Sequence, residues 1–158
     1  MKKKFIFIFS IIISCIFSSC GPKLFFSEAK EIDSKGWAKD SLLRFNVEVT
    51  DTVSEYSFLI SVRNTDEYPA QNLWLFMDII DPSGKVEKDT VECYLANNKG
   101  EWIGSGFGSL NEVNVLCSAK MTFPLSGKYE FVLQQGMRYD VLPGINDVGI
   151  ELYYAEKD

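Results

Sequence analysis

Two runs decide the fold class: Phe45-Asn46-Val47-Glu48-Val49-Thr50 and, after a break at Asp51 to Ser54, Tyr56-Ser57-Phe58-Leu59-Ile60-Ser61-Val62-Arg63. In the first, Phe45, Val47 and Val49 alternate with polar residues. In the second, Tyr56, Phe58, Ile60 and Val62 alternate with Ser57, Leu59, Ser61 and Arg63. A period of two marks a strand with one buried face, because successive side chains point to opposite sides of a sheet.

Outward from there the same pattern recurs in short pieces. Leu73 to Ile80 is apolar nearly throughout and reads as a central strand covered on both faces. Asp81-Pro82-Ser83-Gly84 reads as a turn, with Pro presetting φ and Gly relieving a positive φ. Thr90 to Leu95 is the next strand, and Asn97-Asn98-Lys99-Gly100 turns the chain into Trp102-Ile103. Val113 to Phe123, Tyr129 to Gln134 and Val148 to Tyr154 follow, separated by turns at Ser126-Gly127 and Pro143-Gly144. Seven to eight short strands without a long helix predict an all-β antiparallel sandwich over 41–158, jelly-roll or immunoglobulin-like.

Ahead of that domain, residues 20–40 are mixed and broken by Gly21, Pro22, Ser34 and Gly36. They read as a lipidated tether reaching ~60 Å when extended, with Trp37 docking near its end. Residues 1–19 read as a cleaved lipoprotein signal peptide. Lys2, Lys3 and Lys4 precede an apolar run, Phe5 to Phe17, that is shorter than the roughly twenty residues a spanning helix needs. The run ends in Phe17-Ser18-Ser19-Cys20, small residues before a cysteine, which is the pattern of bacterial lipoprotein processing. Cys20 is the expected lipid attachment, and that covalent lipid is the only cofactor expected. A membrane held through the lipid is then the first partner. Gly21-Pro22-Lys23 carries neither an inner-membrane-retaining Asp nor an acidic export run. The expected location is therefore the outer membrane, facing the periplasm, with the cell surface as the alternative.

Charge and composition exclude several functions. The net charge is −6 and becomes more negative when the three signal lysines are lost, so phosphate backbones are repelled and nucleic acid is not an expected partner. An aromatic fraction of 14% supplies ample core and argues against disorder. Of the 4 cysteines, Cys15 leaves with the signal and Cys20 is lipidated, so Cys93 and Cys117 remain as either buried free thiols or one disulfide. Two cysteines are too few for a zinc site, and no metal is expected.

The chain has no histidine, which removes the Ser-His-acid triad, the Cys-His pair and the commonest general base near neutral pH. No catalytic residues are assigned. A paired-carboxylate hydrolase needs no histidine and has candidates in Asp78, Asp81, Glu87, Asp89 and Glu92, but acidic residues are abundant in any such chain. Gly104-Ser105-Gly106-Phe107-Gly108 lacks the βαβ context of a phosphate loop and reads as a bulge or close backbone approach. Calcium at Asp66-Glu67 or between Asp140 and Asp147 has no EF-hand spacing behind it. Tyr68, Trp74 and Trp102 would suit a sugar-binding face, although aromatics mainly supply core. Other small-molecule ligands are not expected.

Three stretches together resemble the gliding-motility lipoprotein H family (GldH) of the Bacteroidota. The first is Val62-Arg63-Asn64-Thr65, Tyr68-Pro69 and Asn72-Leu73-Trp74-Leu75-Phe76. The second runs from Asp89-Thr90-Val91-Glu92-Cys93 through Leu95-Ala96 to Gly100-Glu101-Trp102-Ile103-Gly104-Ser105-Gly106-Phe107-Gly108. The third is Phe123-Pro124, Gly127-Lys128-Tyr129, Gln135-Gly136-Met137-Arg138 and Leu142-Pro143-Gly144-Ile145-Asn146-Asp147-Val148-Gly149-Ile150. Gly136 stands in place of a usual Ala, and Asn97-Asn98 where an Asp is common. The resemblance implies an outer-membrane lipoprotein of gliding motility, a process linked to type IX protein secretion, and carries no catalytic residue with it.

These readings lead to a non-enzymatic assembly or accessory protein whose partners are other cell-envelope proteins, with a glycan-binding lipoprotein as the alternative. Arg63, Asp89, Trp102, Gln135 and Arg138 are the candidate partner-contact or structural polar residues. Arg63 and Arg138 lie in or at the ends of apolar strands, where a buried Arg needs a carboxylate or carbonyl, and Asp89 is the expected partner of one of them.

Overall fold

A computed structural model describes residues 21–155; the signal peptide and Cys20 lie outside the described residues. The strands in chain order are β1 (Leu24–Glu31), β2 (Trp37–Ala38), β3 (Leu43–Val49), β4 (Glu55–Thr65), β5 (Asn72–Ile80), β6 (Val86–Tyr94), β7 (Ser105–Phe107), β8 (Leu110–Thr122), β9 (Gly127–Gln135), β10 (Val141–Leu142) and β11 (Ile145–Tyr154). Two antiparallel sheets form a sandwich, one in the order β1-β11-β4-β8-β7 and the other β3-β9-β5-β6, while β2 and β10 pair separately.

With the short β2, β7 and β10 set aside, eight long strands remain, as the upper end of the expected count allows. Their orders, β1-β11-β4-β8 and β3-β9-β5-β6, put the first long strand beside the last. The chain changes sheet at every long connection except the β5–β6 hairpin. This is the jelly-roll arrangement. An immunoglobulin-like sandwich would instead pair its first two strands in one sheet.

The alternation predicted for β3 and β4 is kept. Phe45, Val47 and Val49 face Tyr56, Phe58, Ile60 and Val62 across the core, all of them at most 1% exposed. The inward residues of β9, β5 and β11 complete it, and Phe58 meets Phe131 of the opposite sheet at 5.2 Å between ring centres. Burying each such side chain contributes about 1.5–3 kcal/mol relative to exposure. Trp37 does dock: it is 1% exposed, and its Nε1 donates to the Ser41 carbonyl at 2.9 Å.

The structure corrects two expectations about the strands. The stretch read as a tether contains β1, which pairs with β11 from Leu24↔Tyr153 to Glu31↔Asp147. The alternation in Leu24–Glu31 is shallow, since an edge strand buries its inward face only partly, so no strong period appears in the sequence. Secondly, β5 is central by hydrogen bonding but open on one side: Leu73, Leu75 and Met77 are buried, whereas Trp74 and Phe76 are 38% and 49% exposed. Its apolar run reflects large side chains on both faces, not a second covering layer.

Close backbone approaches explain Gly104 and Gly106. A Cβ at Gly104 would stand 2.0 Å from the Glu112 carbonyl oxygen, and one at Gly106 2.3 Å from that of Leu110. Gly144, at φ +78°, lies so close to Tyr68 that a Cβ would fall 2.3 Å from its amide nitrogen.

The partner of Arg63 is Asp147, 84 residues away and opposite it in the β11–β4 register, not Asp89. Arg63 Nε donates to Oδ1 and its NH2 group to Oδ2, both at 2.8 Å, a two-pronged pairing that fits the planar guanidinium. The Asp147 side chain is 3% exposed while that of Arg63 is 42% exposed. The hydrogen bonds and charge of Asp147 hold the Arg63 guanidinium above its ordinary range.

Cys93 is buried, Cys117 half-buried, and both are free thiols. Burial pushes Cys93 up to about 12 and Cys117 up to about 11. Burial likewise pushes the Tyr56 hydroxyl up to about 12.

Two outcomes follow from this packing. Arg63→Ala strands a buried carboxylate with, among the described residues, only the Asn146 side chain to serve it, so urea unfolding should show a loss of about 3 kcal/mol. Asp147→Ala, which leaves a guanidinium already open to water, should cost less. Below pH 9 the thiol of Cys93 is protonated folded or unfolded and contributes no pH dependence. From pH 9 toward about 12 the unfolded chain ionises first, so stability should fall by about 1.4 kcal/mol per pH unit for this group. Cys93→Ala should flatten that part of the curve, and an unchanged slope would refute the assignment.

Candidate functional site

The even-numbered residues of β5 that escape burial, Trp74, Phe76 and Asp78, lie on the outer side of the four-stranded sheet. Register places Glu92, Thr90 and Lys88 of β6 on one flank and Gln134 and Val132 of β9 on the other beside Phe76 and Asp78. Two adjoining depressions, of about 700 and 480 Å³, share Phe76 and Thr90 and run along this face. Trp74, Met137, Arg138 and Tyr139 line the larger. Arg44, Asp78 and Lys88 line the smaller.

Gln135 lines neither depression but shapes one wall of the larger from behind. It is 0% exposed, its Oε1 accepts the Met137 amide at 2.9 Å, and its Nε2 donates to the Tyr139 carbonyl at 2.8 Å. These bonds clamp residues 136–139 into a short arch. The arch is tied to β5 as well, because the Gly136 amide donates to the Trp74 carbonyl at 2.7 Å. A Cβ at Gly136 would press on that carbonyl at 3.2 Å and on the Phe76 ring at 3.3 Å, so glycine lets the arch lie close against β5.

Arg138 is therefore an exposed residue of this arch and not a buried strand residue. It has no ion pair among the described residues, so its charge is free to meet a ligand. The other charges are engaged: Lys88 with Asp78 and Arg44 with Glu130, each at 3.0 Å. Glu92 accepts Asn72 Nδ2 at 2.6 Å and the Tyr94 hydroxyl at 2.9 Å, which orients its carboxylate beside Trp74. Asp89 is exposed, and its carboxylate accepts the neighbouring Thr90 amide at 2.7 Å instead of pairing with either arginine.

Of the aromatics expected on a sugar-binding face, Trp74 is on this surface and the others are not. Tyr68 is 4% exposed and donates its hydroxyl to the Asn72 carbonyl at 2.7 Å. Trp102 is half-buried near Tyr68, with ring centres 6.5 Å apart, and its Nε1 donates to Asp66 at 2.8 Å. That bond occupies one proposed calcium carboxylate, and the ion pair with Arg63 occupies another, Asp147. Among the described residues no cluster of three acidic or thiol side chains could hold a metal. The candidate carboxylates for hydrolysis are separately employed: Asp81 in its own turn, Glu87 with Lys85, and Asp78 and Glu92 as above.

Phe76 escapes a reading of Leu73–Ile80 as covered on both faces, and Met137 and Tyr139 escape any local pattern because the Gln135 side-chain bonds fold them into the arch. The signal was present: aromatic Trp74 and Phe76 occupy one parity of β5, and aliphatic Leu73 and Leu75 the other.

Comparison with known proteins agrees with the resemblance. The family model described as GldH lipoprotein matches residues 24–152. A gliding motility lipoprotein GldH homolog of Christiangramia forsetii is 40% identical over 155 residues, covering 94% of this chain and 93% of that protein. The gliding motility lipoprotein GldH of Flavobacterium johnsoniae is 32% identical over 149 residues, covering 90% and 92%. Among solved structures, a non-crystalline cellulose specific carbohydrate-binding module, CBM28, superposes with a TM-score of 0.47 at 8% identity over 82% of this chain and 73% of its own. Neither the chain length matched nor the aligned identity leaves the assignment dependent on one motif: this chain belongs to the GldH lipoprotein family.

Proposed function

We propose that this protein is a non-enzymatic accessory or assembly lipoprotein of the cell envelope, and that it acts by binding another envelope protein of the gliding and type IX secretion-linked machinery. The observation that carries this reading is the outer face of the four-stranded sheet. There Trp74 and Phe76 stand open between oriented polar groups, next to Arg138, which has no ion pair among the described residues. Aromatic residues and Arg are the side chains that most often dominate protein contacts. The adjoining strand β6 ends its sheet, so one side of its backbone has no partner strand among the described residues and could accept one. Glu87, Lys88 and Glu92 on β6 discourage indiscriminate edge pairing.

In this reading a lipid on Cys20 holds the protein at the outer membrane, facing the periplasm. The sequence after Cys20 supports that side, and protease shaving of intact cells tests it.

A glycan ligand is the second reading, favoured by one feature: Trp74 and Phe76 lie two residues apart on one face, with Glu92, Thr90 and Arg138 around them to hydrogen-bond hydroxyls.

Pull-down from detergent-solubilised membranes separates the two. Trp74→Ala and Arg138→Ala should leave the melting temperature within a few degrees of wild type and reduce recovery of protein partners. Full recovery with both variants would remove this face from the contact. Specific binding on a glycan array, lost with Trp74→Ala, would transfer the face to the second reading. Cys20→Ala should fold normally and leave the membrane fraction; if it still pellets with membranes, the anchor is elsewhere.

A further inference from the structure

We propose that the end of the sandwich at which β1 begins rests on the lipid surface, with the tips at Val53 and Leu125 dipped into the headgroup layer. The proposal rests on the lipid being attached at Cys20. Because β1 starts at Leu24, only Gly21, Pro22 and Lys23 separate it from that residue. Four residues reach at most roughly 14 Å, and one headgroup layer is about 5–7 Å thick. A lipid so close cannot be inserted while this end of the domain stands away from the bilayer.

The turns gathered at that end are shown by the pairing. Glu55↔Thr122 and Val49↔Gly127 bring together the β3–β4 and β8–β9 turns, and Ile80↔Glu130 adds the β5–β6 turn. The Tyr154 amide donates to the Lys23 carbonyl at 2.9 Å, fixing the chain just after the anchor to the same end. Exposed apolar side chains project there. Val53 is 88% exposed, Leu24 50% and Leu125 41%.

Both tips are held rigidly from behind. The Tyr129 hydroxyl accepts the Leu125 amide at 3.1 Å, and the Tyr56 hydroxyl donates to the Asp51 carbonyl at 3.5 Å. The tyrosine rings belong to an aromatic cluster with Phe123, which touches both.

The acidic groups of these turns are engaged and do not present bare charge to the membrane. Asp51 accepts the Val53 and Ser54 amides and the Ser54 hydroxyl, at 2.9, 3.0 and 2.6 Å. Asp81 accepts the Ser83 hydroxyl at 2.6 Å and the Lys85 amide at 3.0 Å. Glu87 pairs with Lys85 at 2.7 Å and Glu55 with Lys120 at 3.8 Å. A rim held from behind, its carboxylates hydrogen-bonded or ion-paired and its tips apolar, fits a zwitterionic lipid interface, where apolar side chains gain and unsatisfied carboxylates lose.

The test uses the mature lipidated chain in vesicles of the zwitterionic lipids phosphatidylethanolamine and phosphatidylcholine, some bearing brominated acyl chains that quench nearby indoles. Val53→Trp adds a reporter at the proposed contact, and Lys99→Trp adds one at the opposite end of the sandwich. The added emission of Val53→Trp should shift to the blue and be largely lost with brominated lipid, while that of Lys99→Trp should be unaffected. Equal quenching of both, or of neither, in protein that floats with the vesicles overturns the docking and leaves the anchor intact. Cys20→Ala should neither float nor be quenched. If it floats, the anchor reading fails first, and the docking proposal that rests on it fails with it.

Discussion

Successive side chains of a strand point to opposite faces, and in a stack of two sheets only one of those faces can be kept dry. Everything else in this molecule follows from that constraint. The inward halves of β3, β4, β5, β9 and β11 are spent on one continuous core. Contacts with other molecules can then be made only on an outer face, along a sheet edge or at an end where the turns collect. The aromatic pair Trp74 and Phe76 is informative because it occupies the outer parity of β5. Large apolar side chains there add little to the core and remain available to a partner.

Polar groups around that face are oriented before any ligand arrives. The buried amide of Gln135 shapes the arch carrying Met137, Arg138 and Tyr139, and Asn72 with Tyr94 aims Glu92. On the opposite sheet the Arg63–Asp147 pair performs a different task. Its carboxylate is almost wholly buried, so the pair ties β4 to β11 and does not offer a free charge. Two arginines that look alike in sequence thus divide between a cross-strand staple and an exposed contact residue.

The incorporation of Leu24–Glu31 into the sheet changes the mechanical picture. A long tether would let the domain sample positions far above the bilayer and make its orientation immaterial. An edge strand beginning at Leu24 gives the domain a defined end beside residue 20. The outer face of the four-stranded sheet then stands along the strand direction, at the side of the molecule and away from both ends.

The sequence by itself determined the class of fold, most strand and turn positions and the family. Those depend on local rules: a period of two, the φ preferences of Pro and Gly, and motifs read in order along the chain. It did not determine that β1 exists, because an edge strand with one shallow contact face leaves no strong period. Nor did it determine that β5 has an open side, since an apolar run is the same whether or not a layer covers it. The pairing of Arg63 with Asp147, and not Asp89, was decided by tertiary structure alone. Which carboxylate meets a guanidinium 84 residues distant depends on strand order and register, and these are settled by how all the strands pack together, not by any segment read alone.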